Sequence, residues 1–253
     1  MRSFQQVLSG DRAALGTWVK LPAIESVELM ALAGFDFVVI DLEHAPLSIE
    51  TAATLIAVAH GRGLCPLVRV PDHSPSWVSR CLDAGAAGVI APHVDSLQQA
   101  KDVVASARFE SVGRRGVGPT SRAGSWGLAS MADYLGPGEP PFVVAQVESD
   151  QGLDSAAEVI ARGGVDAMFI GPADLSVALG KPVDHPDVAP RVEAVVSACQ
   201  ATGMPVGTAI GADPRTAAKL AVSGYSFVMV SNDASILGMG GRALVEGFRE
   251  SLR

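Results

Sequence analysis

Asp41, Glu43 and His44 stand together directly after Phe37-Val38-Val39-Ile40, an apolar, β-branched run that reads as a buried strand. An imidazole titrates near neutral pH, and a neighbouring carboxylate can orient it, so the group has the makings of a general base. His44 is the base candidate, with Asp41 or Glu43 as its orienting partner. A histidine alone on a loop would be an ordinary solvated residue; its company argues for more. Glu148 and Asp174 also follow apolar runs, Phe142–Val147 and Asp166–Ile170. Converging carboxylates with positions left open suit a hard divalent cation that exchanges waters for substrate oxygens. Each carboxylate alone would serve equally well as a helix cap or an arginine partner.

Arg69 lies inside Leu67-Val68-Arg69-Val70, where an unpaired charge is costly. Its guanidinium suits a carboxylate or a developing enolate oxygen; the ordinary alternative is a structural ion pair. Gly171-Pro172-Ala173-Asp174 opens a short helical stretch whose backbone N–H groups can hold an anion, with Gly171, Ala173 and Asp174 as donors because Pro172 has none. Gln146 lies in the strand before Glu148, and His93 follows the strand at Gly88–Ala91 without an assigned role. Arg114, Arg115 and Arg122 sit in a Gly-, Pro- and Ser-rich segment, 111–140, that reads equally as a solvated loop or as a lid or subunit contact.

Short apolar runs at 15–19, 37–40, 67–70, 88–91, 142–147, 166–170, 205–209 and 227–230 alternate with helical patterns, among them 24–33, 48–62, 96–108, 192–202 and a last helix at 242–253. Gly34, Gly163, Gly203 and Gly224 supply helix stops, and Ser48 an N-cap. Eight strand-then-helix units predict an α/β chain folded as a (β/α)8 TIM barrel, one domain over 1–253 with an insertion at 111–140. A doubly wound sheet is the second choice, but Thr17-Trp18-Val19-Lys20-Leu21-Pro22 is no glycine-rich nucleotide turn. In a barrel, the strand ends carrying these polar residues form the catalytic rim.

The chain has 253 residues and a net charge of −8, without basic clusters, which argues against nucleic acid or an anionic membrane as partner. Three widely spaced cysteines, Cys65, Cys81 and Cys199, fit reduced thiols. No apolar leader or membrane-length apolar run is evident, so a cytoplasmic enzyme is expected.

Taken jointly, GFDFVVIDLEHAP (34–46), LVRV (67–70), RRGVGPTSRAGSWG (114–127), AQVES (145–149) and DAMFIGPADLS (166–176) resemble the HpcH/HpaI aldolase family, metal-dependent class II pyruvate aldolases. The resemblance implies a barrel of the phosphoenolpyruvate/pyruvate-binding type and a homo-hexamer whose paired subunits swap the last helix. It also implies a divalent cation (Mg2+, Mn2+ or Co2+) on Glu148 and Asp174. It gives His44 as base supported by Asp41, Arg69 against the pyruvate-derived part, Gln146 beside the metal, and Gly171 and Ala173 near the substrate carboxylate. Asp83 matches an acidic residue near a neighbouring subunit's site.

The expected reaction is reversible aldol cleavage of a 4-hydroxy-2-oxo acid to pyruvate and an aldehyde, with a small oxo acid and aldehyde as the molecules bound. Two alternatives are a Schiff-base aldolase, for which only Lys20 lies at a strand end, and a citrate-lyase-β-like lyase acting on a CoA thioester. A non-catalytic oxo-acid sensor is a third.

Overall fold

The computed structural model describes residues 2–136 and 138–252. Eight parallel strands close in chain order: β1 (Ala14–Val19), β2 (Phe37–Asp41), β3 (Cys65–Arg69), β4 (Gly88–Ala91), β5 (Phe142–Val147), β6 (Ala167–Ile170), β7 (Val206–Ile210) and β8 (Phe227–Asn232). Ala14 pairs with Phe227 and Leu15 with Val228, so the last strand joins the first. The (β/α)8 barrel is therefore formed, and the open doubly wound sheet is excluded.

Alternate side chains on a closed barrel point inward, and this period-2 pattern sets the site. Phe37 and Val39 of β2, Cys65 and Leu67 of β3, Phe142 and Val144 of β5, and Ala167 and Phe169 of β6 fill the interior. Val38, Ile40, Val68, Val143 and Met168 belong to a second cluster beneath the helices. Continuing the inward set by one step on each strand reaches Asp41, Arg69, Gln146 and Gly171. The same parity that builds an apolar floor thus delivers polar groups to the C-terminal rim.

The floor is closed by a helix that sequence periodicity does not reveal, α1 (Phe4–Leu8), capped by Ser3. Phe4 is fully buried, with ring centroids 4.9 Å from Phe37, 5.0 Å from Phe142 and 5.3 Å from Phe227. These rings fit because two inward positions lack side chains. A Cβ at Gly16 would lie 2.3 Å from the Phe37 ring, and one at Gly207 would lie 2.1 Å from the Phe227 ring.

Outside lie α2 (Ile24–Ala33), α3 (Ile49–Gly61), α4 (Pro75–Asp83) and α5 (Leu97–Ala107). Gly34 ends α2 at φ 92°, and Ser48 caps α3, as read from the sequence. The 111–140 segment is partly structured, with a 3-10 turn at Ser125–Gly127 and α6 (Met131–Leu135). It is fastened to the barrel by buried Arg115, which donates to Asp83 at 2.7 Å and stacks over Phe109 at 4.8 Å. Asp83 thus anchors this segment within its own chain.

The remaining helices are α7 (Asp150–Arg162), α8 (Pro172–Leu179), α9 (Ala189–Thr202), α10 (Pro214–Val222) and α11 (Asp233–Ser251). The last begins at Asp233, well before the expected Arg242. Gly238, Gly240 and Gly241 obscure its helical pattern, while the Asn232 side chain caps it by accepting from Ser235 N–H. The expected terminal residue, Arg253, lies outside the described residues. Buried Asp233 ties this helix start to β1, accepting from the N–H groups of Lys20 (2.9 Å) and Leu21 (3.1 Å) and from Ser26 Oγ (2.5 Å).

Candidate active site

Asp41 is fully buried and carries the densest set of contacts on the rim. Arg69, its register partner on β3, donates through Nε to Oδ1 at 3.0 Å and through Nη2 to Oδ2 at 2.7 Å. Lys20 Nζ donates to Oδ2 at 2.7 Å, and the backbone N–H groups of Glu43 and His44 to Oδ1 at 3.2 and 3.1 Å. Burial by itself would raise the carboxyl's pKa. The Arg69 hydrogen bonds and charge, with Lys20 and the His44 N–H, outweigh it and hold Asp41 at about 2. The Arg69 guanidinium also lies 4.1 Å over the Trp18 ring, so its plane is fixed by an ion pair on the edge and an aromatic face below.

Glu43, His93 and Glu148 form a second group whose ligand atoms lie within 4.8 Å of one another. His93 Nδ1 is 3.1 Å from Glu148 Oε1, and its Nε2 is 3.3 Å from Glu43 Oε1. The His93 backbone N–H donates to Glu148 Oε1 at 2.6 Å, and the Gln146 amide donates to Oε2. Glu43 Oε2 is 3.1 Å from Arg69 Nη1 but has no hydrogen bond, although the side chain is about nine-tenths buried. Burial pushes the Glu148 carboxyl up; Gln146, the His93 N–H and the His93 charge oppose that, and the Glu43 charge adds to it. Carboxylate oxygens of Glu43 and Glu148 with an imidazole nitrogen of His93 inside this span are a donor set that suits a divalent cation.

Glu148 also reaches the start of α8. A Cβ on Gly171 would lie 3.0 Å from Glu148 Oε2 and 3.2 Å from Gln146 Nε2, so only glycine leaves the carboxylate and amide where they are. Asp174, the second expected metal carboxylate, follows in the first turn of α8 and lines the cavity beside it, but is not part of the Glu43–His93–Glu148 cluster. A cavity of about 560 Å³ opens here, lined by Trp18, Lys20, His44, Arg69, Gln146, Gly171, Ala173 and Asp174, with Ala209, Ile210 and Ser231 opposite.

Two expectations need correction. Asp41 does not orient the His44 imidazole; it is committed to Arg69, Lys20 and backbone N–H groups, and it places the His44 main chain. The nearest carboxylate to that half-exposed ring is Glu43, with Oε2 3.8 Å from Nε2. Gly171 is not an anion donor, because its N–H is used in the barrel, donating to Val147 O at 2.9 Å. Ala173 and Asp174, in the first turn of α8, keep N–H groups without intrahelical acceptors. Lys20, the Schiff-base candidate, also lines the cavity, and its amine donates to Asp41 Oδ2 at 2.7 Å.

Trp18 and His93 were not given roles by sequence reasoning. The inward parity Ala14, Gly16, Trp18 could have found the first. The second depends on a loop turn, since His93 sits at φ 51°, a left-handed conformation that no apolar pattern announces.

Carboxylates, imidazoles and a guanidinium gathered at the C-terminal rim of a closed barrel define a TIM-barrel enzyme. The chain belongs to the family described as HpcH/HpaI aldolase/citrate lyase, whose model matches residues 14–237. It is 34% identical over 252 residues to a 5-keto-4-deoxy-D-glucarate aldolase of Escherichia coli O6:H1, covering 98% of this chain and 96% of that one. Among solved structures, a HpcH/HpaI aldolase/citrate lyase family protein from Burkholderia cenocepacia J2315 superposes with a TM-score of 0.90 at 34% identity, covering 98% of this chain and 100% of that one. A HpcH/HpaI aldolase from Desulfitobacterium hafniense DCB-2 gives 0.90 at 28% identity, with 99% and 98% covered.

Proposed function

We propose that this enzyme cleaves a 4-hydroxy-2-oxo acid reversibly to pyruvate and an aldehyde, with a divalent cation held by Glu148 and Asp174. The observation that carries the reading is one cavity lined by fixed Arg69, Gln146 and the α8 N-terminus, with buried Glu148 packed directly against Gly171 at its wall. 5-Keto-4-deoxy-D-glucarate, the substrate named for the relatives, is a compound of this class. Numbered from its keto end, it carries the oxo group at C2, a methylene at C3 and a hydroxyl at C4.

When bound, the cation supplies Lewis-acid polarisation of the C2 carbonyl. The residues of the chain do the rest. The N–H groups of Ala173 and Asp174 hold the C1 carboxylate at the helix start. Arg69, immobilised by Asp41 and Trp18, presents its charge to the C2 oxygen as negative charge develops there during C3–C4 cleavage. His44, at the cavity mouth, takes the C4 hydroxyl proton and returns it in the synthetic direction. Lys20 and Arg69 give the cavity the positive lining that a dianionic substrate requires.

The test is pyruvate release from 5-keto-4-deoxy-D-glucarate before and after chelation. Metal-restored cleavage that Glu148→Ala abolishes supports the reading; undiminished cleavage in chelator-treated enzyme refutes it.

The assembly is proposed on separate grounds. Every residue of α11 from Ser235 to Ser251 is exposed, including Leu237, Leu244 and Phe248. Meanwhile an apolar groove of about 550 Å³, lined by Leu15, Phe35, Ala217, Ala221, Val222 and Val228, lies on the outer face of β1 and β8. A helix of one copy laid in the groove of another satisfies both, in keeping with the helix-swapped hexamer that the family resemblance implies.

A further inference from the structure

We propose that His93 is a protein ligand of the metal bound at Glu148, coordinating through Nδ1 and oriented by Glu43. The inference rests on the metal reading above and deepens it by assigning the donor set. His93 Nδ1 lies 3.1 Å from Glu148 Oε1. Two ligand atoms at adjacent positions around one ion, each bound at about 2.1 Å, stand about 3 Å apart, so this spacing suits a shared ion.

The second ring nitrogen completes the pattern. Nε2 lies 3.3 Å from Glu43 Oε1, and a metal-bound histidine characteristically donates its remaining N–H to a carboxylate. Glu43 is in turn held from the other side by Arg69 Nη1 at 3.1 Å from Oε2. The imidazole is therefore braced between one carboxylate able to share its ion and another able to fix its tautomer. The backbone contributes too. Residue 93 adopts φ 51°, unusual for a residue with a side chain, and in doing so points its N–H at Glu148 Oε1 at 2.6 Å.

The consequence concerns metal choice. Two carboxylates alone form an all-oxygen site suited to Mg2+ or Mn2+; one added imidazole moves the preference toward Co2+, Ni2+ and Zn2+. The competing account of the same geometry is an imidazolium that only neutralises Glu43 and Glu148. The two differ in whether nitrogen touches the metal.

The deciding measurement is made on full-length protein stripped of metal and reloaded with one equivalent of Cu2+ or Co2+. The spin probe reads nitrogen coupling from coordinated imidazole, and competition with a chromophoric chelator reads affinity. His93→Asn, which tolerates the left-handed backbone, and His93→Ala are compared with the wild type, with folding checked by circular dichroism. Loss of the nitrogen coupling, with at least about a tenfold weaker Co2+ affinity and a smaller change for Mn2+, supports the assignment. Unchanged spectra and affinities in both variants overturn it and leave the Glu148/Asp174 reading intact. Glu148→Ala separates the two: if that variant, with its His93 intact, binds metal as tightly as the wild type, the underlying metal reading fails, and His93 loses its role with it.

Discussion

Asp41 and Arg69 face each other across the β2–β3 register and close a two-pronged ion pair, 3.0 and 2.7 Å long, in which neither group is more than 5% exposed. It fixes the guanidinium that the proposed reaction uses and anchors the main chain that carries His44. Structure and chemistry are therefore tested together by changing Asp41.

Asp41→Asn leaves buried Arg69 with Glu43 as its remaining counter-charge and removes the two-pronged partner. Breaking a buried pair from one side typically costs about 3–5 kcal/mol, so urea unfolding at neutral pH should show a loss of that order. Arg69→Lys should fold better but lose at least about tenfold in kcat, because an ammonium lacks the planar fork. Retention of full kcat in Arg69→Lys would count against its place at the C2 oxygen.

The same pair predicts an acid dependence. Asp41 is held at about 2 against an ordinary 3.8, so its folded-state value is depressed. Its contribution to stability is complete above pH 3.8 and is lost as pH falls toward 2; the difference is worth roughly 2 kcal/mol. Stability measured through this window should fall less steeply in Asp41→Asn than in the wild type.

Glu148 predicts the opposite sign. Its carboxyl is raised by burial, so in metal-free protein the ionised group opposes folding as pH rises past its unfolded value. Glu148→Gln should therefore melt at or above the wild-type temperature without metal. Added Mn2+ should raise the melting temperature of the wild type and not of the variant. An equal rise in both would remove Glu148 from the metal site.

Gly171→Ala should separate positioning from folding. The added methyl would press on Glu148 Oε2 and Gln146 Nε2 at 3.0 and 3.2 Å, so those side chains must move. The expected result is a fall of about tenfold or more in kcat/KM with a nearly unchanged melting temperature. Wild-type kinetics would show that the rim tolerates the shift.

For the assembly, Leu244→Glu combined with Phe248→Glu places charge on the exposed apolar side of α11. Light scattering should report a smaller oligomer than the wild type. An unchanged mass would place the subunit contacts elsewhere.

The sequence by itself determined the strand-and-helix alternation, because burial on both faces leaves β-branched runs at Phe37–Ile40 and Phe142–Val147, and glycine stops at Gly34 and Gly203 mark helix ends. It also singled out the rim residues, since a carboxylate or guanidinium at the end of an apolar strand is conspicuous against its neighbours. Their partners were decided only by the tertiary structure. Asp41 turned out to serve Arg69 and Lys20 rather than the His44 ring, and Gly171 N–H turned out to be used by β5. The early start of α11 was hidden by its glycines. Periodicity is a property of adjacent residues, whereas the pairing of Asp41 with Arg69, and of His93 with Glu43 and Glu148, is set by barrel closure and by one left-handed turn. Neither leaves a mark in the local pattern.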